Sequence, residues 1–324
     1  MYQFFLLSID FMRAWRTAPN LSWVRAARAH RSGLYDAAVG QYKRGLLASP
    51  NHPAAFCARL DLAQCLVTLQ RFQEAEDHLR LLIVQRPDDR RPYIRLVKLK
   101  MWQGLFHEAG LMAIRAAKRF APDAELIGLA AWCFVSAGSS RELLDEVFEL
   151  EQGLSPEERA GESVIQAARN WDWYRRGERK ASVQELHRLS HSPRRQSVEA
   201  ILAYAEVLID SGLVKEARDE LNRVLTLRPG YPLTTALLAQ CYLNPKSYKP
   251  EFAAQLALDA CRGSGWRSAQ LLHLSADAQY RRGEFSTAKI IAERAHQEAR
   301  LVTSRYPKIA ALEELISDLD TQRM

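Results

Sequence analysis

Apolar side chains along this chain recur every three to four residues. Before Gly212 they are Leu202, Ala205, Leu208 and Ile209; after it they are Ala217, Leu221, Val224 and Leu225. That period puts each set on one face of an α-helix, so the segment predicts two amphipathic helices joined at a glycine. No stretch shows the alternation expected of a half-buried strand. Glycine (15) and proline (13) are sparse, and most fall at regular intervals, as helices punctuated by short turns require. The pattern predicts an all-α fold.

The same arrangement repeats. A turn residue is followed two places on by an aromatic or aliphatic residue, and three places later by alanine. The sets are Gly33, Tyr35 and Ala38; Gln70, Phe72 and Ala75; Gly104, Phe106 and Ala109; Gly212, Val214 and Ala217; Gly283, Phe285 and Ala288. Ala38 and Ala75 are 37 residues apart, Ala75 and Ala109 34, and Ala217, Ala254 and Ala288 follow at 37 and 34. About twelve residues after an alanine a proline closes the apolar stretch, at Pro50, Pro87, Pro122 and Pro229. Each element has a physical reason. Glycine lets the chain leave the first helix in a left-handed conformation. The small alanine lets two helices cross closely, and proline disfavours helix at the residue before it.

These residues are where the chain resembles the tetratricopeptide repeat, a helix–turn–helix unit of about 34 residues. A small residue in the first helix, helix A, completes the likeness: Ala26, Ala63, Ala131, Ala205, Ala239 and Ala276. The resemblance implies a right-handed superhelical solenoid of about eight repeats. They start near Pro19, Phe56, Arg90, Ala124, Ser163, Val198, Pro232 and Ala269. Three units depart from the pattern. Leu143 and Ser182 stand where alanine is expected, and residues 244–250 replace the ordinary turn. A lone hairpin cannot bury its apolar face, so neighbours stack and the ends need caps. The expected organisation is a capping or interaction helix in residues 1–18, repeats one to four in 19–151, a polar joint at 152–162, repeats five to eight in 163–302, and a capping helix in 303–324. The last should run from Lys308 to about Leu319, with Ile309, Leu312, Leu315, Ile316 and Leu319 inward.

Charge refines this picture. The net charge is +7, from 45 basic and 38 acidic residues, and suits a protein partner of acidic character. The basic clusters around Arg25, Arg90 and Arg175 read either as solvated helix faces or as a footprint for an acidic ligand. Five dispersed cysteines with no CxxC pair predict reduced, buried thiols and a cytoplasmic setting. No segment reaches the roughly 20 apolar residues of a membrane span. The apolar start lacks a basic leader region, and Phe4, Phe5, Leu6 and Phe11 there suggest self-association through an end repeat.

Catalytic patterns are missing. There is no phosphate-binding glycine loop, no nucleophile elbow and no HExxH helix, and His187 and His191 lack the third ligand that zinc needs. The expectation is a non-enzymatic scaffold without cofactor or metal. In the resembled family the concave groove is lined by helix A. The residues placed there are Trp23, Arg31, Gln64, Lys98, Trp102, Trp132, Trp171, Tyr174, Arg175, Glu206, Asp277, Tyr280 and Arg281. Trp and Tyr with scattered charge are the composition of surfaces that anchor a partner, although such rings also pack between neighbouring A helices. The ninth positions of helix A are Ala27, Gln64, Lys98, Trp132, Trp171, Glu206, Gln240 and Asp277. None is the asparagine that carboxylate-clamp members use for chaperone tails. The function expected is binding of a partner's peptide or helix in the groove. The alternatives are a nucleic-acid-binding helical repeat, which the irregular groove argues against, and a regulatory subunit of an enzyme.

Overall fold

The structure, a computed structural model, describes residues 21–120, 123–161, 163–192, 197–301 and 306–321, with side chains throughout except at 159–161. Among them are 18 α-helices, one 3-10 turn and no strand. The expected end helix in residues 1–18 and its four apolar residues lie outside the described part. The chain divides between Leu99 and Lys100 into two compact units.

The first unit contains α1 (Leu21–Arg31), α2 (Tyr35–Ala48), α3 (Ala55–Thr68), α4 (Phe72–Gln85) and most of α5 (Arg90–Trp102). Consecutive helices from α1 to α4 pack on one another. The second unit takes the end of α5 and continues with α6 (Phe106–Arg119), α7 (Ala124–Ala137), α8 (Arg141–Gln152) and the short α9 (Pro156–Gly161). After these come α10 (Ser163–Arg175), α11 (Arg179–His191), α12 (Val198–Asp210), α13 (Val214–Leu227), α14 (Pro232–Leu243), α15 (Pro250–Gly263), α16 (Ala269–Arg282), α17 (Phe285–Leu301) and α18 (Ile309–Thr321). In the second unit each A helix from α7 onward packs on its hairpin partner, and α7 on α10, α10 on α12, α12 on α14 and α14 on α16 join one hairpin to the next.

Local chemistry explains the boundaries. Asp123, Ser197 and Ser268 cap α7, α12 and α16, each accepting a hydrogen bond from a backbone N–H of the first turn. At Gly212, with φ +71°, the N–H of Leu213 donates to Leu208 O at 2.9 Å and that of Gly212 to Ile209 O at 3.0 Å. This pair of bonds satisfies the last carbonyls of α12. Gln70 makes the same turn at φ +60° without being glycine, so a side chain sits in a conformation that disfavours it. The irregular 244–250 segment holds a 3-10 turn at Pro245–Ser247, capped by Asn244 Oδ1, which accepts from Lys246 N at 3.1 Å.

The alanines lie where the helices cross. Ala38, Ala75, Ala109, Ala217, Ala254 and Ala288, and the six A-helix alanines, expose at most 1% of their surface. Ser182, standing in for alanine, is equally buried. Two glycines serve the same end. A Cβ on Gly45 would meet the Trp23 ring at 2.2 Å, and one on Gly110 would meet Phe134 at 2.6 Å. In α18 Leu312, Leu315 and Leu319 are buried, in one cluster with Ile291, Ala292 and Ala295 of α17. All five cysteines are free thiols. Burial pushes Cys65 and Cys261 up to about 12 and Cys241 to about 11, which keeps them protonated and unreactive.

Candidate partner-binding faces

In the first unit, charged and hydrogen-bonding side chains gather on α1, α3 and α5. Arg95 Nη1 donates to Gln64 Oε1 at 2.5 Å, and the Tyr42 hydroxyl donates to Asp61 Oδ2 at 3.5 Å. Burial lifts the Asp61 carboxyl to about 6, against the opposing pull of Arg95 and the Tyr42 hydrogen bond. Burial, and then the Arg95 charge, depress His30 to about 4, so its ring is neutral at pH 7. Arg31 is exposed and donates from Nε to Ala27 O at 3.3 Å; Gln64, Arg95 and Lys98 are half-buried. Asp61 thus faces Arg95 and the Tyr42 hydroxyl, and Arg31 is near enough for its charge to act on Tyr42. Trp23 does not belong to this group. That ring is 1% exposed, fills the space left by Gly45 and meets the His52 ring at 5.1 Å. The expectation of a groove anchor at Trp23 is corrected to a core residue.

In the second unit the ninth positions of α7 and α10 hold rings, and these fill the gap between the two helices. Trp132 on α7 and Trp171 on α10 lie 4.9 Å apart between centroids, at 0% and 2% exposure. Tyr174 is buried too, with its hydroxyl 3.5 Å from Ser211 Oγ. Trp102 is half-buried, 5.4 Å from the ring of Tyr231 at the start of α14. A peptide cannot reach a ring that has no accessible face, so the binding roles expected of Trp132, Trp171 and Tyr174 are likewise corrected to packing. Arg175 remains exposed. Its guanidinium stands 4.2 Å over Trp171, donates to Val135 O at 2.5 Å and pairs with Glu206 at 3.4 Å. Burial raises the Glu206 carboxyl, and the Arg175 charge opposes that. On α16 Asp277 and Arg281 pair with each other at 2.9 Å, and Tyr280 packs on Phe285 at 5.6 Å. The structure thus brings Trp132, Trp171, Arg175 and Glu206 together and keeps Asp277, Tyr280 and Arg281 as a separate group.

The two histidines with metal-like spacing stack on each other at 4.4 Å. His191 Nε2 lies 3.2 Å from Glu220, while its Nδ1 meets His187 O at 3.0 Å. Among the described residues no three His, Cys, Asp or Glu side chains are grouped to hold a metal ion.

The tetratricopeptide repeat family model matches residues 29–98, from the end of α1 into α5. Over those residues the chain is similar to tetratricopeptide repeats. A comparison with curated proteins finds no match. Among solved structures the chain is similar to a tetratricopeptide repeat protein from Parabacteroides merdae, at 13% identity over 93% of this chain and 99% of that one, with a TM-score of 0.38. It is also similar to pilF of Pseudomonas aeruginosa, at 18% identity over 72% and 99% of the two chains (TM-score 0.39). PilW, a type IV pilus biogenesis factor, matches at 15% identity over 69% and 96% (TM-score 0.38). Likenesses at this level carry no argument about what this protein binds.

The matched tetratricopeptide segment contains residues that the expected groove lining does not include. Asp61 and Arg95 occupy the sixth position of their A helices, one turn before Gln64 and Lys98 at the ninth, and so share their face. Two charged residues at the same position of consecutive repeats were the available signal. Tyr42 had none, because it reaches Asp61 from the second helix of the preceding hairpin.

Proposed function

We propose that the protein is a non-catalytic protein-interaction scaffold whose first unit receives an acidic segment of a partner across α1, α3 and α5. The reading rests on one observation: Arg31 of α1 and Arg95 and Lys98 of α5 are cations on A helices of the first unit, and Arg95 acts on the carboxylate of Asp61 on α3, which burial already disfavours in its charged form. A peptide carboxylate could replace part of the lost hydration of these cations and make charge-assisted hydrogen bonds to the two arginines. The neutral His30 and the Gln64 amide offer uncharged partners beside them. The match of residues 29–98 to the tetratricopeptide repeat family model supports the scaffold role itself.

The test titrates the full chain with a fluorescein-labelled amphipathic peptide of Glu and Leu, and separately with poly-uridine RNA. Exchanging Arg31 and Lys98 for glutamate should weaken peptide binding by about ten-fold or more, equivalent to about 1.4 kcal/mol, with helicity unchanged. Equal peptide affinity in wild type and variant refutes the site. Tight, salt-sensitive RNA binding that displaces the peptide would favour the nucleic-acid reading instead.

A further inference from the structure

In the second unit, the turn that leads into α18 lies against two A helices and within electrostatic reach of a third. The Tyr306 hydroxyl is 3.1 Å from His273 Nδ1 on α16, and the two rings meet edge to face at 6.0 Å. Pro307 lies over the end of α7, where a Cβ added to Gly138 would stand 3.1 Å from Pro307 Cγ. Lys308 is near enough for its charge to act on both Glu206 of α12 and His273. The N–H of Ile309 closes the turn onto Tyr306 O at 3.1 Å. A ring and a proline thus each meet a different helix, and a cation lies within electrostatic reach of a third: an imidazole hydrogen-bonds the phenol, the glycine that ends α7 leaves room for the pyrrolidine ring, and the ammonium acts on a carboxylate.

We propose that this face of the second unit is a recognition surface for a turn of aromatic–proline–basic chemistry, and that Tyr306, Pro307 and Lys308 occupy it as an internal ligand. A partner segment bearing the same three groups competes with them for His273, Gly138 and Glu206. An attached ligand acts at high effective concentration, so it lowers the apparent affinity for a free one by the fraction of time the face stands open. The site lies on helices other than those of the acidic-segment site and does not depend on it.

The experiment uses the full chain and a fluorescein-labelled peptide of the sequence 303–311. Wild type should bind it weakly. Tyr306→Ala with Lys308→Glu should bind at least about ten-fold more tightly, because the internal competitor is gone. Adding Glu206→Lys should abolish the gain, and a peptide carrying glutamate in place of its lysine should restore it. Circular dichroism checks that the helices persist; if the double variant loses them, Lys308→Glu alone carries the test, with a smaller gain expected. Equal affinity of wild type and variants, or no binding by either, overturns the proposal. Neither result affects the Glu–Leu peptide, whose binding is read separately.

Discussion

The same hairpin carries two different surfaces in the two units. At the ninth position of helix A the first unit has Ala27, Gln64 and Lys98, and the following A helices have Trp132 and Trp171. Short or polar residues leave a half-buried cluster in which Asp61, Gln64 and Arg95 can pair. Two indoles instead meet at 4.9 Å and seal the space between α7 and α10. A ring at a groove position is therefore a statement about the distance between neighbouring helices before it is a statement about a ligand. Where the next repeat also supplies a ring, packing wins, because burying an indole stabilises more than leaving it for a partner.

The largest expected effect sharpens this contrast. Replacing Trp132 or Trp171 with alanine removes a buried ring and should cost about 3–5 kcal/mol each. Gln64→Ala and Lys98→Ala should each stay below about 1 kcal/mol, because neither empties a core. Urea unfolding of the four variants gives the comparison, and a Trp132→Ala chain as stable as wild type would break it. Next comes Gly110→Ala, whose Cβ would stand 2.6 Å from Phe134. Overpacking of that kind should destabilise by about 1–3 kcal/mol, again seen in the unfolding midpoint.

The first unit should respond to pH where two of its groups oppose one another. Asp61 has a folded pKa raised to about 6, so the folded chain holds its proton more tightly and stability falls as pH rises from about 4 to 6. His30 is lowered to about 4, so the folded chain binds its proton less well and stability rises over pH 4 to 6.5. Asp61→Asn removes the falling contribution. The variant should match wild type near pH 4, gain about 1–2 kcal/mol at pH 7, and become steadily more stable across that window. Parallel curves for variant and wild type would show that Asp61 does not sense its burial.

The helices were legible because their ends are written locally. Ser197, Ser268 and Asp123 cap, Pro232 opens α14, and the glycine turns close; the starts expected at Arg90, Ala124, Ser163, Val198, Pro232 and Ala269 are the observed ones. The small residues at the crossings were legible for the same reason, even where Ser182 replaced alanine. The faces were harder to read. Whether Trp132 is exposed depends on Trp171, 39 residues further on, and helical periodicity contains no information about that distance. Asp61 was not legible as a groove residue because the positions carried over from the family skip the sixth place, and for the same reason Arg95 stood only in the basic cluster around Arg90.

Peptide binding by conservative core variants separates the two surfaces most directly. The full chain with Trp132→Phe and Trp171→Phe keeps an aromatic pair in the core, while Arg31→Glu with Lys98→Glu keeps the core and inverts the charge. Titrated with the labelled Glu–Leu peptide, the phenylalanine pair should bind as wild type does, and the glutamate pair should lose about ten-fold or more. Loss of binding in the phenylalanine pair with full binding by the glutamate pair would contradict the account.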